Sequence, residues 1–232
     1  MNPPAHIPHI PTRTDGAQAR QRLLDAALRL FAAHGYKKTS TREIAEAAGV
    51  NLGAIAYYFG DKANLYKTAV DSACCNTDGG VIQPADCTPC LDLTQPLETV
   101  LHQMFVMFMT PLKQGERIRL MMRIHYREMV EPSGALVENP YADMIPFYAG
   151  LQQLICLHLE RAAPDADTTR LTQAILGMGT HFYASQDMIE ALSPGFFTDP
   201  EGIDTLAARL GCWATGMIRA EQQRRAPPEN TP

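Results

Sequence analysis

Residues 39–62, TSTREIAEAAGVNLGAIAYYFGDK, read as two short helices joined by a sharp turn, with a third helix starting at once. Ser40 offers a hydroxyl at the N-cap and Glu43 follows three residues later, the spacing of a capping box. Ile44, Ala45 and Ala48 give this helix an apolar face, and Gly49 suits the left-handed conformation that ends it. Asn51 can cap the next helix, which runs through Phe59, and Asp61 the one after. A helix, a four-residue turn containing glycine and a second helix make a helix-turn-helix, the unit whose second helix lies in the DNA major groove. An ordinary pair of packed helices has the same local pattern, so the flanking sequence has to decide.

Residues 22–36, RLLDAALRLFAAHGY, place Leu23, Ala27 and Phe31 on one helix face with Leu24 and Leu28 beside it, and Gly35 closes the run. The continuous stretch LLDAALRLFAAHGYKKTSTREIAEAAGVNLGAIAYYFGDKANLY, residues 23–66, resembles the N-terminal domain of TetR-family transcriptional repressors. The AA…F…GY, T…IA…AGV and YYFGDK…LY elements come in order. The family often has an aromatic where this chain has Ala56 and a histidine where it has Tyr58; AYYFG is similar to one branch of it. Further on, RLMMRIHYREMVEPSGAL, residues 119–136, resembles the C-terminal domain of the CerR-like branch of the same regulators.

The chain has 232 residues, 46% hydrophobic and 19% charged, as expected of one or two globular domains with a substantial core. No apolar run approaches a membrane span, and the first sixteen residues lack both the basic start and the apolar block of a signal peptide. A cytoplasmic protein without membrane contact is expected. The net charge of −5 is unevenly divided. Residues 13–70 hold nine Lys/Arg against five acids, a balance of +4, and the remainder holds eleven against twenty, a balance of −9. A basic head on an acidic body suits a chain that presents one end to phosphate.

Residues 1–15 carry four prolines and read as an arm, 16–70 as the helix-turn-helix domain, 71–225 as the ligand-binding and dimerisation domain, and 226–232 as a tail. Residues 76–96, rich in Gly, Pro, Asp and Thr, read as a loop. Past it every periodic segment is helical: 97–111, 118–129, 141–162, 168–192 and 203–223. The expected fold is all-α, a three-helix helix-turn-helix head on a helical bundle.

The resemblance assigns DNA contact to Thr41 and Arg42 at the start of the second helix, to Asn51, Ala54, Tyr57 and Tyr58 on the exposed face of the third, and to Lys62 on phosphate. Arg42 can also pair with guanine. Leu52, Gly53, Ala54 and Ala56 offer no hydrogen bonds to bases, so DNA shape has to supply much of the readout. A twofold pair of heads bridging successive major grooves is the geometric solution for operator binding. Small residues on the last two helices, Gly177, Gly179, Ala207, Gly211 and Ala214, suggest the homodimer interface, a four-helix arrangement in the family; packing within the chain is the other reading.

An effector pocket for a small apolar or amphipathic molecule is expected among Met104, Phe108, Met122, His125, Tyr126, Phe147 and His181, since methionine-rich cavities adapt to varied ligands. Most of these residue types are more often plain core, and Arg119, Arg123 and Arg127 read as a solvated face. Cys74, Cys75, Cys87 and Cys90 fall within seventeen residues, and CTPC has the spacing of zinc and redox motifs. Adjacent cysteines on a helix diverge by about 100°, which makes a shared tetrahedral site awkward. No cofactor is expected. The leading reading is a DNA-binding repressor released by a small ligand. A metal- or thiol-responsive regulator using the four cysteines is the alternative, and a helical enzyme or carrier stands third, without a nucleophile–base motif to support it.

Overall fold

The computed structural model describes residues 13–74, 91–136, 139, 141–142 and 144–226. Among them the structure is all-α: ten α-helices and two short 3-10 turns, with no strand. The chain divides into two compact units between Ser72 and Ala73.

In the first unit α1 (Arg13–Lys38) begins within the segment expected to be an arm, and the rest of that segment lies outside the described residues. Leu23, Leu24, Ala27, Leu28 and Phe31 are at most 1% exposed, so the three- and four-residue spacing does mark the core face. Gly35 takes φ 78°, and the chain leaves the regular helix there. Buried Thr39 shares its hydroxyl proton between the carbonyls of Gly35 (2.9 Å) and Leu30 (3.2 Å), acceptors left over at the break.

α2 (Thr41–Ala48) has the expected capping box: Glu43 N–H donates to Ser40 Oγ at 3.1 Å, and Ser40 N–H to Glu43 Oε2 at 2.7 Å. Gly49, at φ 62°, closes it with a Schellman motif, Gly49 N–H to Glu46 O and Val50 N–H to Ala45 O, both 3.0 Å. α3 (Gly53–Phe59) follows, and Asn51 Oδ1 accepts from Gly53 N–H at 2.8 Å. α4 (Lys62–Cys74) is capped by Asp61, whose Oδ1 accepts from Asn64 N–H at 2.8 Å. Ile44, Ala45 and Ala48 are buried, as expected, and so are Ile55 and Phe59; Val50 is half-buried.

The second unit contains α5 (Leu97–Met109), α6 (Glu116–Val130), α7 (Met144–His158), α8 (Ala166–Ala184), α9 (Gln186–Leu192) and α10 (Pro200–Arg225). The expected segment 168–192 is two helices, parted at Ser185. α10 packs most extensively on α5, and α8 packs on both α6 and α7.

That packing corrects the expected dimer interface. A Cβ on Gly211 would stand 2.9 Å from His102 Cα and 3.1 Å from His102 N, so α10 approaches the backbone of α5 too closely for any side chain there. Ala207 and Ala214, on the same face of α10, are buried within the chain. Gly179 lies under the Phe108 ring, with a Cβ position 2.6 Å from Phe108 Cε1. Of the five small residues only Gly177 is exposed. Small residues at helical spacing permit close approach whichever chain supplies the partner, and here the chain supplies its own.

The arginine stripe is corrected too. Arg119 Nη1 donates to the carbonyls of Leu112 (3.3 Å) and Phe197 (3.5 Å), and Arg123 grips Asp187 on α9 with both guanidinium nitrogens, Nη1 to Oδ1 at 2.6 Å. These residues tie α9 and the turn after it to α6. A second ionic cluster joins the ends of α8 and α10: Arg225 donates to Asp165 (2.7 and 3.0 Å) and to Glu221 (2.6 Å), and Arg224 to Asp167 (2.7 Å).

Candidate nucleic-acid interface

The capping box fixes the start of α2, and so fixes Thr41 and Arg42. Thr41 is half-buried and Arg42 is exposed. The Schellman turn and the Asn51 cap then set the direction of α3, which buries Ile55 and Phe59, half-buries Ala54 and Tyr58 and turns Gly53, Ala56 and Tyr57 outward. Tyr57 is 82% exposed, an unusual state for a tyrosine without a partner surface. Leu52 is 49% exposed on the same short element. Ala54 is half-buried. Asn51 is exposed, with its carbonyl oxygen committed to the cap and its amide nitrogen left as a donor.

Tyr58 is half-buried, its ring 4.9 Å from Tyr57 and 6.2 Å from Phe59. Its hydroxyl lies 3.2 Å from where a Cβ on Gly16 would stand, so Tyr58 leans on the first turns of α1. Arg20, also on α1, places its guanidinium 5.3 Å from the centre of the Phe59 ring. Sequence reasoning missed this neighbour, because nothing in an exposed arginine 39 positions upstream announces a ring beneath it.

Lys62 is half-buried at the first turn of α4, with Nζ 4.3 Å from the centre of the Tyr36 ring. Burial lowers its pKa, and the negative charge of Glu43 partly opposes that shift. Glu43 itself is held below the ordinary carboxylate range, first by the Ser40 N–H and then by the Ser40 hydroxyl, with His34 and Lys62 adding smaller effects. The arrangement is an exposed short helix flanked by cations, with an acidic side chain fixed in a cap. It offers donors and apolar contact to a polyanion.

In the second unit, Met104, Phe108, Met122, Tyr126 and Phe147 are buried. Phe108, Tyr126 and Tyr183 form one aromatic cluster. Tyr126 and Tyr183 stack at 4.8 Å, and the Phe108 ring stands edge-on to Tyr183 at 5.5 Å and to Tyr126 at 6.3 Å. The Tyr183 hydroxyl donates to the Phe108 carbonyl. His125 is half-buried with its ring 5.8 Å from Tyr126. His181, expected in the effector pocket, is exposed, with its ring edgewise to half-buried Phe182. The turn of α8 that buries Tyr183 carries His181 outward, since residues two apart on a helix do not share a face.

Cys75, Cys87 and Cys90 lie outside the described residues, as does the side chain of Cys74. Cys156 is buried, and that burial raises its thiol pKa. Cys212 is exposed on α10. Among the described residues no helix is long and apolar enough to cross a membrane.

Residues 23–69 match the family model of bacterial regulatory proteins, tetR family, and residues 97–220 match that of the C-terminal domain of the HTH-type transcriptional dual regulator CecR. The stretch expected to be CerR-like falls inside the second match. The chain is 48% identical over 56 residues to the HTH-type transcriptional regulator AcrR of Shigella flexneri, covering 24% of this chain and 26% of that one. It is 53% identical over 51 residues to the dual regulator CecR of the same organism, covering 22% of each. The chain thus spans about a quarter of the length of the curated relatives it matches. Among solved structures, a HlyIIR mutant superposes with TM-score 0.56 at 20% identity, over 88% of this chain and 97% of that one, a likeness of fold. With one family model on the head and a second over more than half of its length, the chain belongs to the TetR family of bacterial regulatory proteins, in the branch with a CecR-type C-terminal domain.

Proposed function

We propose that this protein is a homodimeric, DNA-binding transcriptional repressor, released from its operator by a small apolar or amphipathic molecule. The observation that carries the reading is the capped helix-turn-helix with Tyr57 82% exposed on α3, in a head whose sequence matches the family model. Thr41, Arg42, Asn51, Ala54, Tyr57, Tyr58 and Lys62 form the DNA surface, with Arg42 reading a base and Lys62 a phosphate. Regulators of similar sequence, AcrR and CecR among them, support the assignment by name.

The dimer uses the outward faces of α8 and α10. Gly177 allows close approach on α8, and Trp213, 52% exposed on α10, is the aromatic anchor. The effector binds in the body beside the Phe108–Tyr126–Tyr183 cluster, where Met104 and Met122 supply adaptable side chains. A mobility-shift assay on the protein's own promoter region tests the reading. A discrete, competitor-resistant complex is expected, and binding no tighter than to random duplex sinks it.

A further inference from the structure

We propose that Tyr36 is a positioning residue for DNA binding: its ring is the platform that holds the Lys62 ammonium ready for phosphate. The inference rests on the phosphate-contact reading of Lys62. Lys62 Nζ lies 4.3 Å from the ring centre, inside the range of a cation–π contact. The ring is fixed. It follows the Gly35 break, which the Thr39 hydroxyl secures, and it lies 5.1 Å from the Tyr66 ring and 6.1 Å from the Phe31 ring, both residues buried. Tyr36 itself is only half-buried, so part of the ring stays open to a cation.

The chemistry suits a lysine at a phosphate. An ammonium has three donors on a flexible stem, and part of what phosphate binding costs it is the ordering of that stem. A ring below the ammonium restricts the stem beforehand and engages one side of the charge, leaving donors on the other side for phosphate oxygens. Glu43 adds negative potential nearby, but its carboxylate is held by the Ser40 N–H at 2.7 Å. The ring can therefore orient the cation without neutralising it.

Tyr36→Leu removes the ring and keeps apolar bulk; Tyr36→Phe keeps the ring. Each is made alone and together with Lys62→Ala, and anisotropy titrations against a random-sequence 40-base-pair duplex are run at several salt concentrations. The expected results are a two- to fivefold weaker affinity for Tyr36→Leu, wild-type affinity for Tyr36→Phe, and no further loss when Tyr36→Leu is added to Lys62→Ala. In proton spectra the Lys62 ε-methylene should be shifted upfield in wild type and Tyr36→Phe and not in Tyr36→Leu, a readout independent of DNA. Equal losses for Tyr36→Leu with and without Lys62 would assign the ring to packing alone and overturn the proposal, as would a wild-type Lys62 signal without a ring shift. If Lys62→Ala itself binds like wild type, the phosphate-contact reading fails and takes this inference with it; if only Lys62→Ala weakens binding, the inference alone fails.

Discussion

Arg42 and Lys62 carry the same charge but stand in different surroundings, and the difference should be measurable. Arg42 projects from the first turn of a capped helix and is exposed, free to follow a base edge. Lys62 rests on the Tyr36 ring, a fixed point charge suited to the backbone. Lys62→Ala should therefore weaken binding to every sequence and lower the log–log salt slope by about one unit. Arg42→Ala should cost about 1–3 kcal/mol on the operator and change its preference at one position, with far less effect on random duplex. Titrations of both variants against both duplexes at several salt concentrations separate the two roles. An unchanged salt slope for Lys62→Ala would remove it from the interface. At this scale the sequence was informative wherever partners are near neighbours. Ser40 with Glu43, Gly49 with Ala45 and Asp61 with Asn64 lie within four residues, and local stereochemistry leaves them little choice. Lys62 and Tyr36 are 26 residues apart, and only the fold brings them together.

Among the elements, the small residues of α10 show where such reading runs out. Their spacing announced close helix packing, and close packing is what Gly211 makes against His102. The spacing holds no information on whether the opposing helix belongs to the same chain. Gly211→Leu should consequently destabilise the folded subunit, by about 1–3 kcal/mol of overpacking strain, rather than release one subunit from another. Thermal unfolding should show a lower midpoint at every protein concentration; a midpoint that recovers with concentration would return Gly211 to a dimer contact. The clasp between α8 and α10 gives a pH-dependent counterpart. Hydrogen bonds from Arg224, then from Arg225, hold the Glu221 pKa at about 2, below its ordinary value near 4.5. A carboxylate depressed in the folded state contributes stability above its unfolded pKa and loses it as pH falls toward the folded one. The destabilisation caused by Glu221→Gln should thus be full at pH 6, shrink below pH 4.5 and be nearly gone near pH 2. Urea titrations across that range read it directly, and a difference constant with pH would mean that the charge of Glu221 is irrelevant to the clasp. Glu221 meets Arg224 and Arg225 within one helical turn, but nothing in the sequence marked the partner on α8, since Asp165 and Arg225 are 60 residues apart.

For the whole molecule, the proposed function reduces regulation to linkage between operator, effector and subunit association. An effector that changes operator occupancy a hundredfold needs about 2.7 kcal/mol of preference for the form that does not bind DNA. By reciprocity, operator DNA must weaken effector binding by the same factor. In the proposed homodimer two heads are held by one assembly, because half-sites lie one helical turn apart and a twofold pair can engage both. The α10 surface available for that assembly is the side turned away from α5, where Trp213 is 52% exposed beside exposed Cys212. A large aromatic at such a position gains more from burial against a second copy than any small residue on the opposite, already buried face. Trp213→Ala should therefore raise the dimer dissociation constant at least tenfold while leaving the thermal midpoint of the separated subunit near that of wild type. Operator binding should then become steeply dependent on protein concentration. Sedimentation velocity and mobility shifts over a common concentration range provide the two readings. A wild type that sediments as a monomer at micromolar concentration would exclude the homodimer outright. A Trp213→Ala dimer as tight as wild type would place the interface elsewhere on the body, and Gly177→Leu on α8 would then show whether that helix takes part at all.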